Sequence, residues 1–198
     1  MLEGKKEIEE VLNALSEQIA VEGIGRIEVL VCGGAALNVL GYVNRTTKDV
    51  DVIAFVNKDK KGAISLIKAK PLIPQLVEAA KRVQMDFNLS DNWFNAGPAS
   101  VMDLGLPERL MDRAEMRTYG KNLVVYFLAR YDQIHFKLYA AVDQDGKHVD
   151  DLMVLKPTAE ELEKAARWTM THDVSDGYKT VLKSFLEQIG YKDVSDKL

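Results

Sequence analysis

The stretch Val29–Val56, VLVCGGAALNVLGYVNRTTKDVDVIAFV, constrains this chain more than any other. An apolar run ends in Gly33-Gly34, a small-residue segment follows, and a second apolar run opens on Asp49-Val50-Asp51. Two glycines at a strand end let the backbone turn tightly and approach a ligand, because neither carries a Cβ. A helix begun over Ala35 to Leu40 sets its first-turn N–H groups and its positive dipole end against Gly33 and Gly34, a setting that suits phosphate. Asp49 and Asp51 are two apart, so in an extended chain their carboxylates leave one face about 6–7 Å apart. Two hard oxygen donors on one face suit a divalent cation, most naturally Mg²⁺. The same alternation carried backwards sets Arg45, Thr47, Asp49 and Asp51 in one row. Phosphate cradle and metal clasp are then neighbours.

Other phosphate-binding patterns fit less well. No Gly-Lys-Ser/Thr follows Gly34, as a P-loop requires. Gly-x-Gly-x-x-Gly is absent too. An acid does follow the glycines at the distance a dinucleotide fold would use, but that fold puts its acid at the end of a strand. Asp49 and Asp51 stand before Ile53-Ala54-Phe55-Val56, at the beginning of one.

At 198 residues the chain accommodates a small α/β core with a helical extension. Its 47% hydrophobic and 28% charged residues are those of a globular protein. A net charge of −4 argues against a broad, non-specific nucleic-acid surface. The single cysteine, Cys32, excludes an internal disulfide and a Cys-rich zinc site, and reads as a buried strand-end thiol rather than a nucleophile. The N-terminus lacks a signal-type apolar region and no apolar run approaches the ~18 residues of a membrane span, so a cytoplasmic protein with no membrane partner is expected.

Ile8, Val11, Leu12, Leu15 and Ile19 predict an amphipathic helix over about 4–20. Arg26 to Cys32 reads as a strand entering the glycine turn, and Asp49 to Val56 as the next strand. Asn57 to Gly62 reads as a charged turn and Pro71 to Val83 as a helix. Gly97-Pro98 interrupts any helix over 91–102, where Trp93 and Phe94 are expected as packing residues. Residues 113–118 and 123–129 flank Tyr119-Gly120-Lys121-Asn122 as a hairpin. Helices separated by a turn at Asp145-Gly146 follow, with Tyr131, Ile134, Leu138 and Ala141 as a buried stripe and Lys137 on its flank. Thr158-x-x-Glu161 is a capping-box signature opening a helix, and a final helix covers about 176–189. The tail 191–198 is expected to fray.

Gly33-Gly34, the Arg45-x-Thr47-x-Asp49-x-Asp51 row and the apolar strand after it resemble the nucleotidyltransferase superfamily of DNA polymerase β type, in the minimal branch that includes abortive-infection toxins. Lys137-Leu138-Tyr139-Ala140 is similar to that branch's Lys-Leu-x-Ala helix. Lys147-His148-Val149-Asp150-Asp151-Leu152 resembles its Lys-Asp-x-x-Asp-Leu segment, with His148 in place of Asp and Asp151 retained. The family's Trp-x-Asn-Asp appears as Trp93-Phe94-Asn95-Ala96, without the final acid.

The resemblance implies an α+β fold, with a small mixed sheet and flanking helices as a core over 1–155 and a helical pair over 156–198. It implies Mg²⁺-dependent transfer of a nucleoside monophosphate from an NTP to a hydroxyl acceptor, whether tRNA, protein or small molecule; a toxin-like member would act beside an antitoxin. Asp49 and Asp51 would hold the metal, and Gly33, Gly34, Arg45 and Thr47 the nucleotide. Lys137 would neutralise the triphosphate, and Asp151, with Asp150 beside it, is the candidate base. The apolar run Leu123 to Ala129 carries none of the third carboxylates that many such enzymes place on a later strand. That absence favours the alternative, a related module that binds nucleotide, RNA or a partner protein without turnover.

Overall fold

The computed structural model describes residues 1–144 and 146–198. Its elements run β1 (Leu2–Glu3), α1 (Gly4–Val21), β2 (Ile27–Cys32), α2 (Gly33–Val39), β3 (Thr46–Thr47), β4 (Val50–Lys58), β5 (Ile64–Lys68), α3 (Pro74–Asp86) and β6 (Phe94–Asn95). A 3-10 helix (Gly97–Asp103) leads to α4 (Leu110–Arg113), β7 (Glu115–Tyr119) and β8 (Leu123–Phe127). The helices α5 (Arg130–Asp143), α6 (Lys147–Val154), α7 (Ala159–His172), α8 (Asp176–Gln188) and α9 (Lys192–Ser195) complete the chain. The α+β class expected from the sequence is what the chain adopts. Of the turn expected at Asp145-Gly146, Asp145 lies outside the described residues.

Two compact units divide the chain: residues 1–103 with 111–128, and residues 104–110 with 129–198. The first is a mixed sheet of order β5-β4-β2-β8-β7, with β6 added on β4. Central β2 is antiparallel to β4 and parallel to β8, and Val29, Leu30 and Val31 are fully buried in it. Strands covered on both faces read as unbroken apolar runs, as β8 does throughout and β2 does after Glu28. The helix α1 meets this unit through Ile8, Val11, Leu12, Leu15 and Ile19, all fully buried, each contributing about 1.5–3 kcal/mol. Polar ties fix its register on the β7–β8 turn: Ser16 Oγ accepts from the Asn122 N–H at 3.0 Å, and Asn13 Oδ1 from the Gly120 N–H at 3.1 Å.

The second unit is helical. Thr158 and Glu161 make both bonds of the capping box at the start of α7. Arg130, at the start of α5, ties three elements. Its Nε donates to the Leu155 carbonyl at 2.7 Å, Nη2 to the Lys156 carbonyl at 2.7 Å, and both Nη atoms grip the Glu161 carboxylate. These ties bind α5 and α6 to α7 within this unit. The tail does not fray: α9 buries Val194 and Ser195, and Ser195 Oγ donates to Glu187 Oε1 at 3.2 Å.

Candidate active site

The glycine pair starts α2 itself. Gly33 takes φ +73°, a left-handed conformation that side chains resist, and swings the chain from β2 into the helix. A Cβ on Gly33 would lie 2.6 Å from Asp51 Oδ2; one on Gly34 would lie 2.7 Å from Thr47 Oγ1 and 3.3 Å from Arg45 Nη2. Both glycines are therefore required by close approach, and three of the four residues in the expected row converge on them.

Register explains why Asp51 arrives there. The ladder between β2 and β4 shifts between Leu30 and Val31, which sets Cys32, the residue before the glycines, opposite Asp51. Asn38, 2% exposed, braces the same corner. Its Nδ2 donates to the Gly34 carbonyl at 2.9 Å, and its Oδ1 accepts from the Arg45 N–H at 3.1 Å. Thr47 is held in β3, paired with β1 through Leu2.

Asp49 departs from the single extended row. A bend at Lys48 separates β3 from β4, and Asp49 precedes the first residue of β4. It lines a cavity of about 970 Å³ with Asn95 and Gly97. Asn95 was passed over in the sequence, where its segment lacks the family's acid. In the fold, β6 runs parallel to β4 with Asn95 opposite Asp51, and Asn95 Nδ2 donates to Asp51 Oδ1 at 3.2 Å. No local signal marks this contact, which joins residues 44 apart; Asn38 has a local partner in the Gly34 carbonyl, but its bond from the Arg45 N–H forms only once the chain folds back.

Lys137 and Asp151 belong to the helical unit, where they meet each other. Lys137 Nζ lies 2.8 Å from Asp151 Oδ2, with side chains 7% and 2% exposed. Lys137 is thus buried rather than on the flank of α5. Asp150 is exposed in the first turn of α6.

Among the described residues no group of three or more His, Cys, Asp or Glu is placed to hold a metal ion, and no helix is long and apolar enough to cross a membrane. No curated protein and no solved structure matches the chain. A family model described as "Nucleotidyltransferase of unknown function (DUF6036)" matches residues 9–193, a span that takes in Gly33, Gly34, Arg45, Thr47, Asp49, Asp51, Lys137 and Asp151. That span covers most of the chain, and the protein belongs to that family.

Proposed function

We propose that the chain transfers a nucleoside monophosphate from an NTP to a hydroxyl acceptor. One observation carries this reading: the Cβ-free faces of Gly33 and Gly34 are bounded by the Asp51 carboxylate, the Thr47 hydroxyl and the Arg45 guanidinium. The missing Cβ atoms let these three side chains close on the start of α2, so that a carboxylate, a hydroxyl and a guanidinium gather at one corner beside which a triphosphate would sit. The Arg45 guanidinium offers planar, paired N–H donors to its oxygens, and Thr47 a hydroxyl.

The donor set fits Mg²⁺. That ion is commonly held by one or two carboxylates together with substrate phosphates and water, so two acids beside a phosphate cradle suffice. Asp49 and Asp51 are its proposed ligands. When bound, the ion would supply charge stabilisation on the triphosphate. Asn95 holds one oxygen of Asp51 and thereby sets the carboxylate's plane.

Burial and mutual pairing favour a structural role for Lys137 and Asp151 over triphosphate neutralisation and proton abstraction. The run Leu123 to Ala129, which carries no acid, is the feature that favours the second reading, a module that binds nucleotide without turnover. Incubation with α-³²P-NTP, Mg²⁺ and candidate acceptors separates the two. A labelled product lost in Asp51→Asn supports transfer; Mg²⁺-dependent NTP binding by titration calorimetry with no labelled product supports the binding module.

A further inference from the structure

The cavity of about 970 Å³ that Asp49 and Asn95 line is built wholly within the sheet unit. Buried Ala80 and Phe94 form its inner wall, and half-buried Leu72 and Val77 extend it. Trp93 is sealed at this wall, its indole N–H donating to the Ala80 carbonyl at 2.9 Å. Lys70 and Lys81 stand exposed at the rim. The volume lies at the upper end of the range, about 300–1,000 Å³, that houses small organic ligands.

Its relation to Asp51 gives it a role. Asp51 Oδ2 is the oxygen that crowds Gly33, while Oδ1 accepts from Asn95, a cavity residue. The carboxylate thus crowds Gly33 through one oxygen and is tied through the other to Asn95, a residue of the cavity lining. Phosphoryl chemistry requires attacking and leaving oxygens roughly in line, on opposite sides of the phosphorus. A triphosphate against Gly33 and Gly34 leaves the cavity as the side from which an attacking hydroxyl comes.

We propose that this cavity is the acceptor subsite, and that it takes a ring-bearing hydroxyl compound of nucleotide size with an anionic substituent. The inference rests on the nucleotidyl-transfer reading. The apolar wall covers the ring, and Lys70 at the rim meets the anion, whereas Lys81 is already paired with Glu78 at 2.8 Å. In the reaction the acceptor oxygen forms a bond to the α-phosphorus, and the bond from that phosphorus to the bridging oxygen breaks. Its electron pair leaves on pyrophosphate, and the hydroxyl proton passes to water at the open mouth of the cavity.

Adenosine 5′-monophosphate is a suitable probe, with α,β-methylene-ATP and Mg²⁺ saturating the cradle. In amide chemical-shift titrations, AMP is expected to perturb Val77, Gln84, Asn92 and Asn95 while the analogue stays bound. Lys70→Glu and Val77→Trp should each weaken AMP about tenfold or more. Lys70 is exposed, so its variant reports even where the bulkier one disturbs folding, which circular dichroism checks. Displacement of the analogue by AMP, no AMP binding at millimolar concentration, or parent-like AMP affinity in Lys70→Glu overturns the subsite. Failure of the underlying reading looks different: the analogue itself then binds without Mg²⁺, or binds Asp51→Asn as it binds the parent.

Discussion

Asn95 donates to Asp51 Oδ1 at 3.2 Å while its own Oδ1 accepts from the Gly97 N–H at 2.7 Å. The amide is fixed from both ends, and so is one oxygen of the acid most central to the site. Groups that orient a metal-binding carboxylate commonly change metal affinity about 10–100-fold when removed. Asn95→Ala is therefore expected to fold like the parent and to lose Mn²⁺ affinity on that scale, read by titration of the ion's paramagnetic resonance signal with an ATP analogue present. Parent-like affinity would remove Asn95 from the site.

Gly34 does not take positive φ, so alanine there meets no left-handed backbone strain. The added Cβ nevertheless lands 2.7 Å from Thr47 Oγ1, and the neighbour must move. Gly34→Ala is expected to fold yet bind NTP weakly. Adding Thr47→Ala should relieve the crowding in thermal denaturation without returning affinity in calorimetry, because the double variant keeps the Cβ and also loses the Thr47 hydroxyl.

Removing Lys137 takes away the cation 2.8 Å from the Asp151 carboxylate, which is 2% exposed. Breaking a buried pair in this way costs about 3–5 kcal/mol, whereas replacing both partners by apolar groups is often near neutral. Urea denaturation should show Lys137→Met strongly destabilised and Lys137→Met/Asp151→Leu largely recovered. Loss of label transfer in Lys137→Met with an unmoved denaturation midpoint would instead give Lys137 the phosphate role that its motif implies.

His172 packs among Trp168 and Tyr139, with ring centroids 4.1 and 5.1 Å away. Burial holds its pKa below the ordinary 6.5, opposed by the Gly105 carbonyl that accepts from Nε2. The unfolded chain therefore binds a proton more readily than the folded one. The stability that His172 contributes is complete above pH 6.5 and falls away as the pH drops through the lower folded value. Thermal melts of the parent between pH 7.5 and 5 should show this decline, and His172→Phe should flatten it; an equal slope in both would exclude His172 as its source.

Much of this architecture is legible in the chain because it rests on local pattern. The stripe of α1, the strand running into Gly33-Gly34 and the Thr158/Glu161 box each carry their own signal at short spacing. Features missed are those decided by distant partners. The buried place of Lys137 depends on Asp151 across a helix turn, and Asn95 depends on β6 finding β4. The strand β5 presents a mostly exposed ISLIK run to an edge, where the apolar alternation is too weak to read. Asp49 leaves the row because β3 pairs with β1 instead of continuing into β4. The tail seemed unanchored because Ser195 meets Glu187 only after α8 has turned back.

Asp49, Asp51 and the glycine pair are proposed to form one nucleotide site. Crystals grown with Mn²⁺ and α,β-methylene-ATP, with anomalous diffraction recorded at the manganese edge, test it most directly. Manganese is predicted on the Asp49 and Asp51 carboxylates, with triphosphate oxygens against Gly33 and Gly34 and within reach of Arg45. Manganese bound away from both aspartates, or a triphosphate seated elsewhere with the glycine faces untouched, would contradict it.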